Sequence, residues 1–573
     1  MAGRCGDSVD EKGSGCAVSG ALVRNSDGPL YDQIIIGGGS AGCVLANRLS
    51  EDPHRRVLVL EAGRPDYRFD FRLHMPAALT YPLASKAYNW WYDSAPETAL
   101  GGRRVYQPRG KVLGGSSAIN GMIFIRGHPL DFDNWAKRPG LENWSYAHVL
   151  PYFKRLENRL VGGDDYRGEG GPLHLETPAC DNPLFDAFFE AANEAGYPLT
   201  DDVNGYQQEG FGRFDRTTYR GRRWNAARAY LHPVLSRPNL TVRTGVMVHR
   251  VLFDGRRAVG VEIDCQGNKE RILGGEIICC GGAINTPQLL QLSGIGPSEL
   301  LATFDVPVIH DLPGVGAALE DHAEVYVQYE CTQPVSLYPS LKWWRQPWIG
   351  AQWLFGRTGV GASNHFEAGG FIRSNATVEY PNLQYHFLPI AIRYNGTSAR
   401  AGHGYQVHVG PVRSDARGHV RITSADPAEH PEIVFNYLST EQDKQEWVEA
   451  IRCTRNIMSQ PAFEPFRGEE LAPGPSVQTD DEILGFVRRE LESAYHPSCT
   501  CKMGTTSDTV TDPNLRVHGV DGLRVVDASV MPTITNGNIY APVLMIAEKA
   551  ADIIAGNSPL KPLQLPYFGE KGE

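Results

Sequence analysis

Gly37-Gly38-Gly39-Ser40-Ala41-Gly42 and Glu61 are residues whose types and spacing define a chemistry. The first six fit G-x-G-x-x-G. Gly37 permits a tight turn, Gly39 lets the backbone approach a pyrophosphate, and Gly42 lets a helix pack closely on a strand. Ser40 and Ala41 open that helix, whose free N–H groups and partial positive charge favour phosphate oxygens. Glu61 follows Gly42 by 19 residues and ends an apolar run. There its carboxylate can accept both ribose hydroxyls and repel a 2′-phosphate, so a dinucleotide without that phosphate is expected. A second loop, Arg109-Gly110-Lys-Val-Leu-Gly114-Gly115-Ser116-Ser-Ala-Ile-Asn120, combines paired glycines, hydroxyls and an amide. Such a loop suits an extended cofactor better than a nicotinamide one.

These residues need particular elements to hold them. Asp32–Ile36, the turn, Ala41–Leu49 and Val57–Leu60 read as β-turn-α-β, the unit of a parallel, two-sided sheet. Further strands are expected at Leu240–Val242, Arg250–Phe253, Ala258–Ile263, Glu276–Cys280 and Leu523–Val526, with an Ala/Ile-rich helix at Ala541–Ala555. The stretch 325–490 reads differently. Aromatic strands (Val325–Tyr329, Asn382–Leu388, Gly404–Gly410) alternate with helices (Glu441–Ser459, Asp481–Ser493), which predicts a mostly antiparallel second sheet. Glu441–Ser459 reads as an amphipathic surface helix with a solvated charged face. The fold class is α/β: a discontinuous Rossmann-like domain plus an α+β domain.

Composition narrows the function. The 573 residues carry 55 Lys and Arg against 66 Asp and Glu, a net charge of −11. That balance does not suit nucleic acid, whose partners carry a basic footprint. No apolar run approaches the roughly 18 residues that span a bilayer, so a soluble or peripheral protein is expected. Eleven cysteines, with neighbours such as Cys279–Cys280, suit reduced, buried thiols rather than a disulfide framework. Residues 1–30 are Gly/Ser-rich and read as a flexible leader without a secretory signal.

Gly110 to Asp133, Gly282-Ala-Ile-Asn-Thr-Pro287 through Gly296, and the C-terminal set His496-Pro-Ser-Cys-Thr-Cys-Lys-Met-Gly504, Val525-Val-Asp-Ala-Ser529 and Gly537-Asn538 together resemble the glucose-methanol-choline family of flavin oxidoreductases. The resemblance covers about residues 31–556. It implies an FAD-binding region at 31–324, a substrate-binding domain at 325–494, a return to the FAD domain at 495–556, and a tail at 557–573. It adds Ala62, Gly121, Val248, Asp527 and Ala528 to the FAD-binding set. Ile119 stands where some relatives bond flavin covalently through a histidine, so dissociable FAD is expected.

The same resemblance implies His496 as acid/base, an imidazole able to accept an alcohol proton, and Asn538 as the group orienting the alcohol oxygen. Longer stretches, among them Ser363-Asn-His-Phe-Glu-Ala-Gly-Gly370 and Tyr385-His-Phe-Leu-Pro389, resemble the choline-oxidising members. Glu324 then faces a quaternary ammonium and His386 lines its pocket. Tyr338, Trp343, Trp344 and Trp348 could cage that cation, although packing is their more ordinary role. Electrons would pass to a quinone-type acceptor through a peripheral contact with a mitochondrial or bacterial inner membrane. Another primary alcohol as substrate, or oxygen as acceptor, remains an open alternative. Two departures from the family pattern, Cys499 and Ile539-Tyr540, would reshape the pocket wall. His496, Cys499 and Cys501 lack the spacing of a zinc site.

Overall fold

A computed structural model describes residues 31–392 and 402–569. The expected leader and the last four residues lie outside that range. Strand β1 (Tyr31–Ile36) is followed by helix α1 (Ser40–Leu49) and strand β2 (Val57–Glu61). All five residues of β2 are buried, as an interior parallel strand covered on both faces requires. Strands β3 (Leu240–Thr244), β4 (Met247–Asp254), β5 (Arg257–Cys265) and β6 (Asn268–Cys279) complete the sheet in the order β3-β2-β1-β6-β5-β4, and Leu523–Val525 also pairs with β6. Pairing is parallel through β3, β2, β1, β6 and Leu523–Val525, and antiparallel among β6, β5 and β4. β6 begins well before the expected Glu276. Its first half, Asn268-Lys-Glu-Arg271, is exposed and polar, so no apolar run marks it, yet it pairs with β5. Cys279 and Cys280 are free, buried thiols. Cys265, in contrast, is disulfide-bonded, a departure from the expected reduced set.

The helix Tyr540–Ala555 packs on α1. Its fully buried Glu548 accepts Arg48 of α1 at 2.9 Å, Arg155 at 2.8 Å and the Tyr230 hydroxyl at 2.9 Å. A buried carboxylate so paired fixes where this helix begins, directly after Asn538.

The second sheet is antiparallel throughout. It contains β7 (Ala323–Cys331), β8 (Ala368–Ile372), β9 (Leu383–Leu388) and β10 (Gly404–Pro411) in the order β7-β10-β9-β8. Gly210–Arg213 forms the far edge beside β8, and Arg467–Ala472 and Glu492–Ser493 pair with β7. Side chains alternate between faces along a strand. Val325 pairs with Val409, Tyr326 with His408, and His386 with His408. Glu324, His386, His408, Gln384 and Gln406 therefore share one face. Val325, Val327, Tyr385, Phe387, Val407 and Val409 share the other, inside a second hydrophobic core.

Helix α2 (Gln346–Gly356) lies outside that core, whereas α3 (Glu441–Met458) closes it with Trp447, Ala450 and Ile451. The Thr440 hydroxyl caps α3 by accepting from Asp443 N. Its charges are not all solvated, because Asp443 and Glu446 are buried. The helix Asp480–Glu490 stops short of the expected Ser493: Glu492–Ser493 is instead a strand paired with Ala323–Glu324. No described helix is long and apolar enough to cross a membrane.

Candidate active site

One cavity runs from the turn after β1 to the polar face of the second sheet. Gly37, Gly39, Ser40, Ala41, Glu61 and Ala62 line one end. Arg109, Gly110, Gly115, Ser116, Asn120, Gly121, Val248, Asp527 and Ala528 line its length, and Glu324, His386, His496 and Asn538 the other end. Gly42 and Gly114 sit behind the wall. A Cβ on Gly42 would lie 2.0 Å from the Gly37 carbonyl oxygen, so this glycine lets α1 meet the turn. Gly114 N donates to Gly38 O at 2.7 Å, and a Cβ on Gly115 would lie 2.7 Å from Gly39 Cα. The two glycine-rich loops thus touch backbone to backbone.

These residues fit FAD. α1 begins at Gly39 with no side-chain cap, which leaves its first N–H groups facing the cavity. Glu61 is buried in the same wall, accepting from Gly38 N at 2.9 Å and Gly63 N at 2.7 Å. Burial pushes its carboxyl up to about 7, with the two backbone donors opposing. Asp527 accepts from Gly282 N, the Thr286 hydroxyl and Ser529, which ties the Leu523–Val525 strand end to the helix Gly282–Leu292.

At the far end the hydrogen bonds determine a tautomer. His322 Nε2 lies 3.0 Å from the Val412 carbonyl, which can only accept. Burial pushes the His322 imidazole down to about 4, so it is neutral with its proton on Nε2. His322 Nδ1 is then an acceptor, and His496 Nδ1, 3.1 Å away, donates to it. The lone pair of His496 is left on Nε2, 3.1 Å from Asn538 Nδ2. Gln384 Nε2 donates to Asn538 Oδ1 at 3.0 Å and holds that amide in the required sense. Burial, then His322, Arg109 and His386, hold the His496 imidazolium well below the usual range. Tyr495, just before it, has φ 68°, and Arg109 donates to the Tyr495 carbonyl at 2.8 Å. Strain of this kind collects at sites the surroundings over-determine.

Glu324 belongs to a second chain of bonds. Ile392 N donates to Gln406 Oε1, so Gln406 Nε2 donates to His408 Nε2, and His408 Nδ1–H donates to Glu324 Oε1 at 3.1 Å. The carboxylate is thereby held in place by the His408 ring. Burial pushes His386 down to about 4, and its Nδ1 is buried with no partner among the described residues, as a group awaiting a ligand would be. Phe366 and Tyr495 share this part of the wall.

Trp343, Trp344 and Trp348 are not in the wall, contrary to either expected role. They are exposed, so they form neither a cage nor a core. Sequence reasoning missed His322, His408 and Gln384. For His322 a weak signal existed: it stands two residues before Glu324, just ahead of β7. Cys499 is not in the cavity wall, contrary to its expected role; it is buried behind it with φ 71°, a conformation that favours glycine. Ile539 and Tyr540 both line the cavity.

The GMC oxidoreductase pattern matches residues 31–324 and 414–547. The chain belongs to the GMC oxidoreductase family. It is 58% identical over 544 residues to an oxygen-dependent choline dehydrogenase of Staphylococcus xylosus, covering 94% of this chain and 97% of that one. Among solved structures it is similar to pyridoxine 4-oxidase from Mesorbium loti (TM-score 0.83, 32% identity, 92% of this chain and 100% of that one). It is also similar to an FAD-dependent oxidoreductase from Chaetomium thermophilum (TM-score 0.82, 29% identity, 92% and 99%). The chain is accordingly an FAD-dependent enzyme that oxidises an alcohol.

Proposed function

We propose that this enzyme oxidises choline to betaine aldehyde. The observation that carries the reading is the buried Glu324 carboxylate in the same cavity wall as His496 and Asn538, with Phe366 and Tyr495 beside it. A quaternary ammonium donates no ordinary hydrogen bond, so a carboxylate and aromatic faces are what bind it. The printed name of the Staphylococcus relative supports the same substrate.

The entering alcohol hydroxyl takes the place of the Asn538 N–H at His496 Nε2, which then accepts the hydroxyl proton. The second N–H of Asn538 Nδ2 holds the alcohol oxygen and supports the charge that develops there. His386 Nδ1, without a hydrogen-bond partner among the described residues, meets the bound substrate. FAD, when bound, supplies the acceptor for the hydride that leaves the carbinol carbon with its electron pair. Glu61 and the two glycine-rich loops hold FAD without a covalent link, since Ile119 offers no bond. Asp527 and Arg109 keep the C-terminal segment against that site. On these roles 31–324 is mainly FAD-binding, 325–494 mainly substrate-binding and 495–556 a return to the FAD side, with Glu324 and the edge strand Gly210–Arg213 lent by the first stretch to the second sheet. The two electrons pass on to a quinone-type acceptor at a mitochondrial or bacterial inner membrane, where the protein is peripheral. Oxygen is a second reading, favoured by the words "oxygen-dependent" in the relative's name.

Anaerobic addition of choline to the purified holoenzyme tests the reading. Loss of the oxidised flavin absorbance is expected, and no loss with choline alongside bleaching by a neutral alcohol would overturn it. Peroxide release compared with quinone reduction on re-oxidation decides the acceptor.

A further inference from the structure

The aromatic segment that joins neither the cavity nor a core has a chemistry of its own. Trp343 is 77% exposed, Trp348 72% and Phe355 86%, all on α2 and its lead-in. Only Trp353 turns inward, donating from Nε1 to the Gly221 carbonyl at 2.7 Å. The 36 residues from Cys331 to Phe366 contain no Asp or Glu, in a chain with 66 acids, and they carry Lys342, Arg345 and Arg357. Beyond α2, a Cβ on Gly361 would touch Met75 Cε, which brings in the neighbouring loop with Phe69, 86% exposed, and Arg68.

Cations gather between the two. Arg222 donates to the Arg68 carbonyl, and burial followed by Arg228, Arg357 and Arg68 pushes its guanidinium down to about 10. Arg357 stacks 3.9 Å over the Trp353 ring, and its Nη1 is buried with no hydrogen-bond partner among the described residues. Asp66 is the one acid that acts on Arg222 and Arg228 here, against four arginines.

We propose that α2, its Lys342–Arg345 lead-in and the Phe69 loop form the surface by which this enzyme docks on an anionic bilayer. Indole rings favour the headgroup level, where one edge is apolar and the other wet, and Lys and Arg beside them meet lipid phosphates. Each cation near an anionic leaflet strengthens the attraction. Over most of its surface a chain of net charge −11 is repelled by such a leaflet, so the face built on the acid-free stretch 331–366 orients it. A second copy fits less well, because face-to-face pairing would set these arginines against their own copies. Docking here also sets the cavity near the lipid: Leu79 and Leu83 line it, and Pro76–Ala78 just before them packs on Val360–Ala362, the turn that follows α2. A lipid-soluble electron acceptor would need that proximity. The inference deepens the peripheral-membrane reading above and does not depend on which alcohol is oxidised.

The test is sedimentation of the holoenzyme with vesicles of phosphatidylglycerol and phosphatidylcholine, or of phosphatidylcholine alone. Wild type should pellet with the anionic vesicles, less so at high salt. The variant Trp343→Ser/Trp348→Ser/Phe355→Ser should bind at least about tenfold more weakly, and Arg345→Glu should weaken binding to anionic vesicles only. Both should keep wild-type turnover with a water-soluble acceptor, which shows that they fold. Equal binding by wild type and the triple variant would overturn this surface while leaving a peripheral location intact. No binding by wild type would overturn both. Concentration-dependent self-association of wild type, lost in the triple variant without any vesicle binding, would make the face a contact between copies instead.

Discussion

At the phosphate end of the cavity the inward-facing groups are mostly backbone. The uncapped start of α1, the Gly37–Gly39 turn and the Gly110–Ser116 loop meet at distances only glycine allows, and Glu61 is the one carboxylate among them. At the alcohol end the inward-facing groups are ring nitrogens, amides and a carboxylate. They come from chain positions 322–324, 384–386, 408, 496 and 538, collected by strand register and two chains of hydrogen bonds. The first end recognises a fixed shape, so it is rigid and local in sequence. The second must choose one alcohol and move one proton, so it depends on orientations set by neighbours. Substitutions should therefore have different signatures: loss of FAD at the first end, loss of rate or substrate choice with FAD retained at the second.

The largest effect is expected at His496. His496→Ala should lower kcat/KM for choline by about 10²–10⁴-fold, as loss of a general base does, with FAD content unchanged; a colourless variant would break the division between the ends. Gly42→Ala should do the reverse. With its Cβ 2.0 Å from the Gly37 carbonyl oxygen, α1 and the turn separate, and the purified chain should carry little FAD by absorbance. Next comes Glu324→Gln, which removes the charge but keeps the shape. KM for choline should rise about thirtyfold, the equivalent of ~2 kcal/mol, while an uncharged alcohol of the same shape should change little. The smallest effect belongs to His322, which acts on the substrate through His496 alone. His322→Ala should cost about tenfold in kcat/KM, with recovery in His322→Gln, whose amide oxygen can accept from His496 Nδ1. Equal losses in both variants would remove the tautomer argument.

The same contrast decides what the sequence disclosed. The glycine spacing, Glu61 and the strand–turn–helix around them are close in sequence and obey steric rules, so they were readable from Gly37 to Glu61 without any relative. The boundaries of β6 were not, because an exposed hairpin arm has no apolar signature. Their aromatic residues marked β9 and β10 as strands. His386 and His408 meet only because two strands pair in one register, which no local pattern states. His496, Asn538 and Glu324 were assigned through family resemblance. His322 was overlooked because its role consists of one ring nitrogen and one carbonyl at Val412, 90 residues away. The exposed tryptophans were misjudged because aromatic side chains are ordinarily buried, and sequence alone does not say which helix is left outside both cores.

The most direct test is the rate of flavin reduction on anaerobic mixing with choline as a function of pH. His496 must be neutral to take the proton, and its surroundings hold its imidazolium below the usual value of 6.5. Activity is therefore present above that pKa and lost as pH falls through it, so the rate should be level through neutrality and decline only below about pH 6.5. A rate that rises as pH falls, or that is unchanged in His496→Ala, would contradict the account.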